Sequence, residues 1–242
     1  MNVQVNLPKV NLPIFDAEIP SSKTKIKVRP MRAREEKILL IAKEGGDPGE
    51  ILLSIKQIVN NCLLDVNSER FNTLALFDLE YLFLRIRSIS IGNKIKLTFQ
   101  DTEDGKSREF EINLDDVKVV FPDKDYSKII VDDNISLILK YPNISLYDDK
   151  AFLNLSGEKA LEELAIRCLS KIHNGTGVID AKFLPNEKRA EWLNELPIEA
   201  YNQIRDFFIH LPIMKYEIDY VNDNGNQRKI TLSTLNDFFM LR

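Results

Sequence analysis

Proton transfer, metal ligation and nucleophilic attack draw on a few residue types, and here those types are sparse and scattered. The chain has two histidines, His173 and His210, and two cysteines, Cys62 and Cys168. A general base needs an orienting partner and a substrate proton within hydrogen-bond reach, and neither histidine sits in a motif that supplies them. His173 falls at the end of an expected helix, where an imidazole can cap free carbonyls; His210 lies between a helical run and Pro212, a structural position. Zinc sites cluster their cysteines and histidines at short spacings, and neither cysteine has a second cysteine or a histidine at ligand spacing. Both occupy apolar runs, Ile58 to Leu64 and Leu164 to Leu169, as small buried hydrophobes do, and no disulfide is expected in a reducing compartment. Phosphate-binding loops fail as well. Gly45-Gly46-Asp47-Pro48-Gly49 lacks the Lys-Ser/Thr of a P-loop, and Gly175-Thr176-Gly177 follows no expected strand, so neither has the context that gives such glycines their chemistry. Asp101 to Gly105 carries three carboxylates but no downstream glutamate at EF-hand spacing, and reads as an exposed hairpin turn. The residues thus predict no catalytic site, no cofactor, no metal site and no small-molecule substrate.

Three features point to binding instead. Lys23, Lys25, Lys27, Arg29, Arg32 and Arg34 form a basic cluster. Lys25, Lys27 and Arg29 alternate along one strand and so share a face, which is either simply solvated or a docking surface for an acidic partner; nucleic acid is the third reading. Phe207-Phe208 and Phe238-Phe239 flank the C-terminal hairpin, as core packing or as a partner-facing apolar patch. Asn2 to Leu12, with apolar Val3, Val5, Leu7, Val10 and Leu12, reads as a disordered leader or as an arm that adds to a partner as a strand.

The elements that position these residues follow from periodicity. Residues 214–221 alternate, with Met214, Tyr216, Ile218 and Tyr220 on one side, which is the period of a half-buried strand. Asn222-Asp223-Asn224-Gly225 supplies a tight turn, Arg228 to Thr231 returns, and a short apolar helix closes the chain. At the other end Ile14 to Ile19 and Thr24 to Arg29 pair as a hairpin that Pro30 stops, since proline has no N–H to give. Helices are expected over Ala33 to Glu44, from Pro48 with Asp47 as N-cap, and after Asn72-Thr73. Lys94 to Gln100 and Ser107 to Asn113 form a hairpin, with further strands at Val117 to Phe121 and Ile135 to Tyr141. Helix resumes from about Leu146 through Ile172, then over Glu187 to Leu196 and Ile198 to Leu211, split by Pro197. The fold class is α+β: mainly helical, with small antiparallel sheets at an N-terminal hairpin, a central meander and a C-terminal hairpin followed by a short helix. Three segments are expected, 1–121, a β-rich connector 122–145, and 146–242, within two domains or one continuous one. The net charge of -4 provides no global basic field for nucleic acid, and no apolar run approaches the roughly 18 residues that span a bilayer. The first residues lack the basic and apolar regions of a signal peptide, so a cytoplasmic location is expected.

Several strings resemble a baseplate hub assembly protein family of T-even-like contractile-tailed bacteriophages: Lys27-Val28-Arg29-Pro30-Met31-Arg32 continuing to Ala42, Phe77-Asp78-Leu79-Glu80-Tyr81-Leu82 continuing to Arg87, Phe207 to Pro212, and Ile230-Thr231-Leu232 through Asp237-Phe238-Phe239. The resemblance implies a non-enzymatic hub assembly factor or hub subunit whose partners are other phage baseplate hub proteins, in the host cytoplasm during assembly or in the virion tail baseplate. Under it, Lys25, Lys27, Arg29, Arg32, Arg34, Phe207, Phe208, Phe238 and Phe239 are the candidate partner-binding residues. Some members of the family resemble a zinc ribbon at the terminal hairpin tip, with a Cys-x-x-Cys. Here Asn222-Asp223-Asn224-Gly225 stands instead, so the tip is expected to be held by backbone hydrogen bonds and packing alone. The alternative class is a nucleic-acid-binding protein or an enzyme with a site that one sequence does not display.

Overall fold

The N-terminal hairpin forms because Ile26 and Val28 must be buried while Lys25 and Lys27, which alternate with them, must not. The computed structural model describes residues 8–239, and most of the apolar arm expected over Asn2 to Leu12 lies outside them. β1 (Phe15–Ile19) and β2 (Thr24–Val28) pair antiparallel, Phe15 opposite Val28 and Ile19 opposite Thr24. The free edge of β2 is covered further on, where Leu64 donates its N–H to the Lys27 carbonyl and Arg29 donates to that of Cys62.

The helices begin and end where local chemistry dictates. α1 (Ala33–Gly45) opens with Glu35 accepting the Arg32 N–H at 2.7 Å and closes at Gly46, whose φ of 72° is the left-handed conformation of a helix C-terminus. α2 (Pro48–Cys62) is capped by Asp47 accepting the Glu50 N–H at 2.9 Å and buries Ile55, Ile58, Val59 and Cys62 on one stripe. A short α3 (Ser68–Asn72), which was not expected, precedes the central α4 (Leu76–Ile91). There the buried Asp78 accepts from the Ala75 N–H at 3.1 Å, the Ser21 N–H at 2.8 Å and the Ser21 hydroxyl at 2.6 Å. One carboxylate thus ties the β1–β2 turn to the start of α4. Burial raises its pKa, a trend its hydrogen bonds oppose.

β3 (Lys94–Gln100) and β4 (Ser107–Asn113) form the expected hairpin, and β5 (Lys118–Val120) follows. At the other end of the chain β10 (Ile213–Val221) pairs with β11 (Gln227–Leu232) on one side and with β5 on the other, Val120 lying opposite Ile213. Residues 121–212 therefore leave and re-enter one sheet at directly opposed positions. The terminal helix α9 (Leu235–Phe239) follows β11. Met214, Ile230, Leu232 and Phe238 join Leu79, Leu82 and Phe83 of α4 in one buried cluster.

The residues between build a second core. β6 (Lys128–Ile130), β7 (Ser136–Leu139), β8 (Leu169–His173) and β9 (Val178–Asp180) form an antiparallel sheet in that order. α5 (Lys150–Leu153) and α6 (Gly157–Cys168) precede β8, and α7 (Asn186–Asn194) and α8 (Ile198–Ile209) follow β9. Ile129, Leu137, Ile166, Leu169, Ile204 and Phe207 are among its buried members. Packing crosses both expected segment boundaries, since β7 pairs with β8 and the terminal hairpin enters the first core.

Two local expectations are corrected. Residues 169–172 are strand and not helix: Lys140 donates to the Cys168 carbonyl at 2.8 Å, and Leu137 pairs opposite Ile172, so the ladder captures the chain where the helix would continue. His173 accordingly ends a strand and caps no helix. Gly175-Thr176-Gly177 does follow a strand, but it turns β8 back into β9 and opens no helix to which a phosphate would bind.

Candidate docking surface

The basic strand delivers only part of its expected face. Lys25 and Lys27 are exposed, with Lys27 Nζ 2.6 Å from Asp16 and Lys23 3.9 Å from Glu18 across the hairpin. Lys27 holds the Asp16 carboxyl below its usual range. Arg32 and Arg34 are also exposed, Arg32 donating to the Val10 carbonyl at 3.3 Å. Arg29 departs from the expected free face: it is 8% exposed. Alternation stops where β2 ends, and the guanidinium turns inward between the start of α1 and the end of α2. There it donates to Glu35 at 3.0 Å, to the Asn61 carbonyl at 2.8 Å and to the Pro30 carbonyl at 2.9 Å. Glu35 is fully buried and accepts from Arg34 as well, at 2.8 Å. Burial pushes its carboxyl up, but hydrogen bonds from Arg29, Arg34 and the Arg32 N–H outweigh that and bring it down to about 2.

The aromatic pairs are divided between cores. Phe207 is buried in the second core, stacked on Tyr141 with 5.9 Å between centroids and edge-on to Phe208 at 5.0 Å. Phe208 is half-buried and also packs against the small cluster of Leu146, Phe152 and Cys168. Phe238 is buried in the first core, and the Phe239 side chain lies outside the described residues. Phe207 and Phe238 therefore consolidate the chain itself. His210 is likewise occupied: its Nδ1–H donates to the Asp206 carbonyl at 2.8 Å, and its ring stacks on Tyr126 at 4.2 Å. The two histidines are on different elements and share no site. Among the described residues, no group of three or more His, Cys, Asp or Glu is arranged to hold a metal ion.

The terminal hairpin tip corrects another expectation, because side chains and not only backbone hold it. The β10–β11 turn docks on the β3–β4 turn. Tyr220 donates its hydroxyl to Asp101 at 2.6 Å, Asn222 donates to Glu103 at 3.0 Å, and Asp223 accepts from Arg108 at 2.6 Å and from Lys106. Arg108 also donates to Asp104 at 3.1 Å and holds that carboxyl far below its usual range. Asp101 is fully buried, so the acidic turn is a socket and not merely an exposed loop. The sequence shows the two turns but nothing that places residues so far apart in the chain side by side.

A surface that the patch reading missed lies on α1. Only Glu35 and Ala42 of this helix are buried, while Leu40 is 51% and Ile41 68% exposed, with Ile91 of α4 at 57%. An apolar groove of about 150 Å³ runs beside them, lined by Met31, Leu39, Leu40, Ile91, Ile95 and Leu97. Its signal was in the sequence. Four consecutive apolar residues, Ile38-Leu39-Leu40-Ile41, go round a helix further than one core-facing stripe requires.

No helix among the described residues is long and apolar enough to cross a membrane. No curated protein and no solved structure gives a match to the chain. One family model, described as T4 bacteriophage base plate protein, matches residues 12–240. With nearly the whole fold inside that match, from the β1–β2 hairpin to α9, the chain belongs to the T4 bacteriophage base plate protein family.

Proposed function

We propose that this baseplate protein works without catalysis, as a hub assembly factor or hub subunit that binds other hub proteins of its phage. The observation that carries the reading is the exposed apolar surface of Leu40, Ile41 and Ile91. Contiguous exposed apolar side chains beside a groove are the usual mark of a protein contact. Lys25, Lys27, Arg32 and Arg34 remain free enough of burial to steer an acidic partner toward the molecule, and Phe208 adds an accessible aromatic edge. Arg29, Phe207 and Phe238 support the surface from within.

The test is pairwise binding of the purified chain to purified hub proteins of the same phage. Leu40→Asp combined with Ile41→Asp is expected to leave the thermal unfolding midpoint within a few degrees of wild type and to abolish binding. Wild-type protein that binds none of the hub proteins, or that binds single-stranded DNA or RNA more tightly than any of them, refutes the reading.

A further inference from the structure

Glu80 is an ionisable group that neither the fold nor the proposed surface uses. It lies on α4 and is half-buried. Its carboxylate forms no hydrogen bond or ion pair with any described residue. Around it is a pocket of about 170 Å³, largely apolar, with Pro48, Ile51, Leu52 and Ile55 from the start of α2 and Leu235 on its walls, beside Gly46 and the polar Thr234 and Asn236. Ile51, Ile55 and Leu235 also line the groove beside α1, so the pocket is the acidic end of that groove. Burial alone pushes the Glu80 carboxyl up to about 7, with no basic neighbour to offset it. Lys56, the lysine of α2, is committed elsewhere, to Asp148 at 2.6 Å and the Ile144 carbonyl at 3.4 Å.

A carboxylate in a largely apolar pocket, with no partner among the described residues, is costly to keep charged. Asp78, two residues earlier on the same helix, shows how this fold treats a buried acid that serves it: three donors converge on it. Glu80 has none. One carboxylate in an apolar pocket lacks the several oxygen ligands a calcium or magnesium ion needs. A lysine or arginine side chain fits both features, because its methylene stem lies along apolar surface while its head meets the charge. We propose that the Glu80 pocket receives a lysine or arginine side chain of a partner baseplate subunit, on a segment whose apolar residues continue along the α1 groove. The inference rests on the protein-binding role given above and adds the chemistry of the contact.

The experiment measures binding of the full chain to purified baseplate subunits of the same phage, one at a time, by biolayer interferometry. Glu80→Gln keeps the side-chain shape and removes the charge. Its unfolding midpoint near neutral pH should equal or exceed that of wild type, because an unpaired buried charge is gone, while affinity for the bound subunit falls at least tenfold. Glu80→Asp, which keeps the charge, should retain more affinity than Glu80→Gln. Glu80→Lys should not bind, and a Lys→Glu or Arg→Glu variant of the bound subunit should restore the complex. If Glu80→Gln binds as wild type does, the pocket is not the contact and this proposal falls, while the broader role stands. If wild type binds no baseplate subunit, the broader role itself falls. If Arg242→Gln lowers the unfolding midpoint in wild type but not in Glu80→Gln, the chain's own terminus fills the pocket, which also overturns the proposal.

Discussion

Replacing Glu35 by glutamine removes one charge from a fully buried site and leaves a side chain of nearly the same shape. Two routes give the cost. Lowering a carboxyl from 4.5 to about 2 on folding corresponds to about 3 kcal/mol at neutral pH. The Arg34 partner is 69% exposed, so its share is screened by solvent and the figure comes down to about 2 kcal/mol. Alternatively, removing one member of a buried ion pair costs about 3–5 kcal/mol. Arg29 keeps two carbonyl acceptors, so the lower end applies. Both routes converge on about 2–3 kcal/mol, or about 4–12 °C in unfolding midpoint for a chain of this length. A depressed carboxyl gives stability that is complete above its unfolded pKa and lost as pH falls through the folded one. The gap between wild type and Glu35→Gln should therefore be full near pH 7 and shrink between about pH 4.5 and 2. Urea unfolding at several pH values across that range reads it directly. Replacing the pair together, Arg29→Met with Glu35→Leu, should cost much less than Glu35→Gln alone, since no charge is then left unpaired. A Glu35→Gln penalty below about 0.5 kcal/mol, or one that stays constant down to pH 3, would refute the reasoning.

Three further outcomes are expected. Lys25→Gln with Lys27→Gln should change stability by no more than about 0.5 kcal/mol each, since both are exposed, yet slow association with a hub protein at low salt; an unchanged association rate would show that this face is merely solvated. Tyr220→Phe removes the hydroxyl that Asp101 accepts and should speed amide hydrogen exchange in both turns, 101–106 and 222–226, while the rest of the chain keeps its protection; unchanged exchange would mean the lock lies elsewhere in the network. Burial pushes the Cys62 thiol up to about 11 and that of Cys168 to about 12, so neither should react with a disulfide reagent at pH 8 until the protein unfolds, and each Cys→Ala variant should cost about 1–2 kcal/mol. Rapid modification of either thiol in the folded protein would contradict that burial.

Local signals were enough to place most of the helices and hairpins. Asp47-Pro48 opens α2, Gly46 closes α1, the alternation of Met214 to Tyr220 marks β10, and Pro197 separates α7 from α8. These depend on neighbours within a turn or on a period of two, which any stretch of chain carries in itself. Elements of three residues carry almost no period; β5 was legible only through the apolar run Val117 to Phe121, and β6 and β9 were not. Nor was β8, where the choice between helix and strand was made by the β7 ladder and not by Leu169 to His173. The site divides the same way. Sequence alone showed a run of basic residues, and it showed the excess of apolar residues around Ile38 to Ile41. Tertiary structure alone turned Arg29 inward onto Glu35, because two helix ends converge there. It brought Asp223 to Arg108 across two hairpins, and left Glu80 without a donor among the described residues while giving Asp78 three. Whether a charge is paired, steering or stranded depends on groups distant in the chain, and only packing brings those groups within reach.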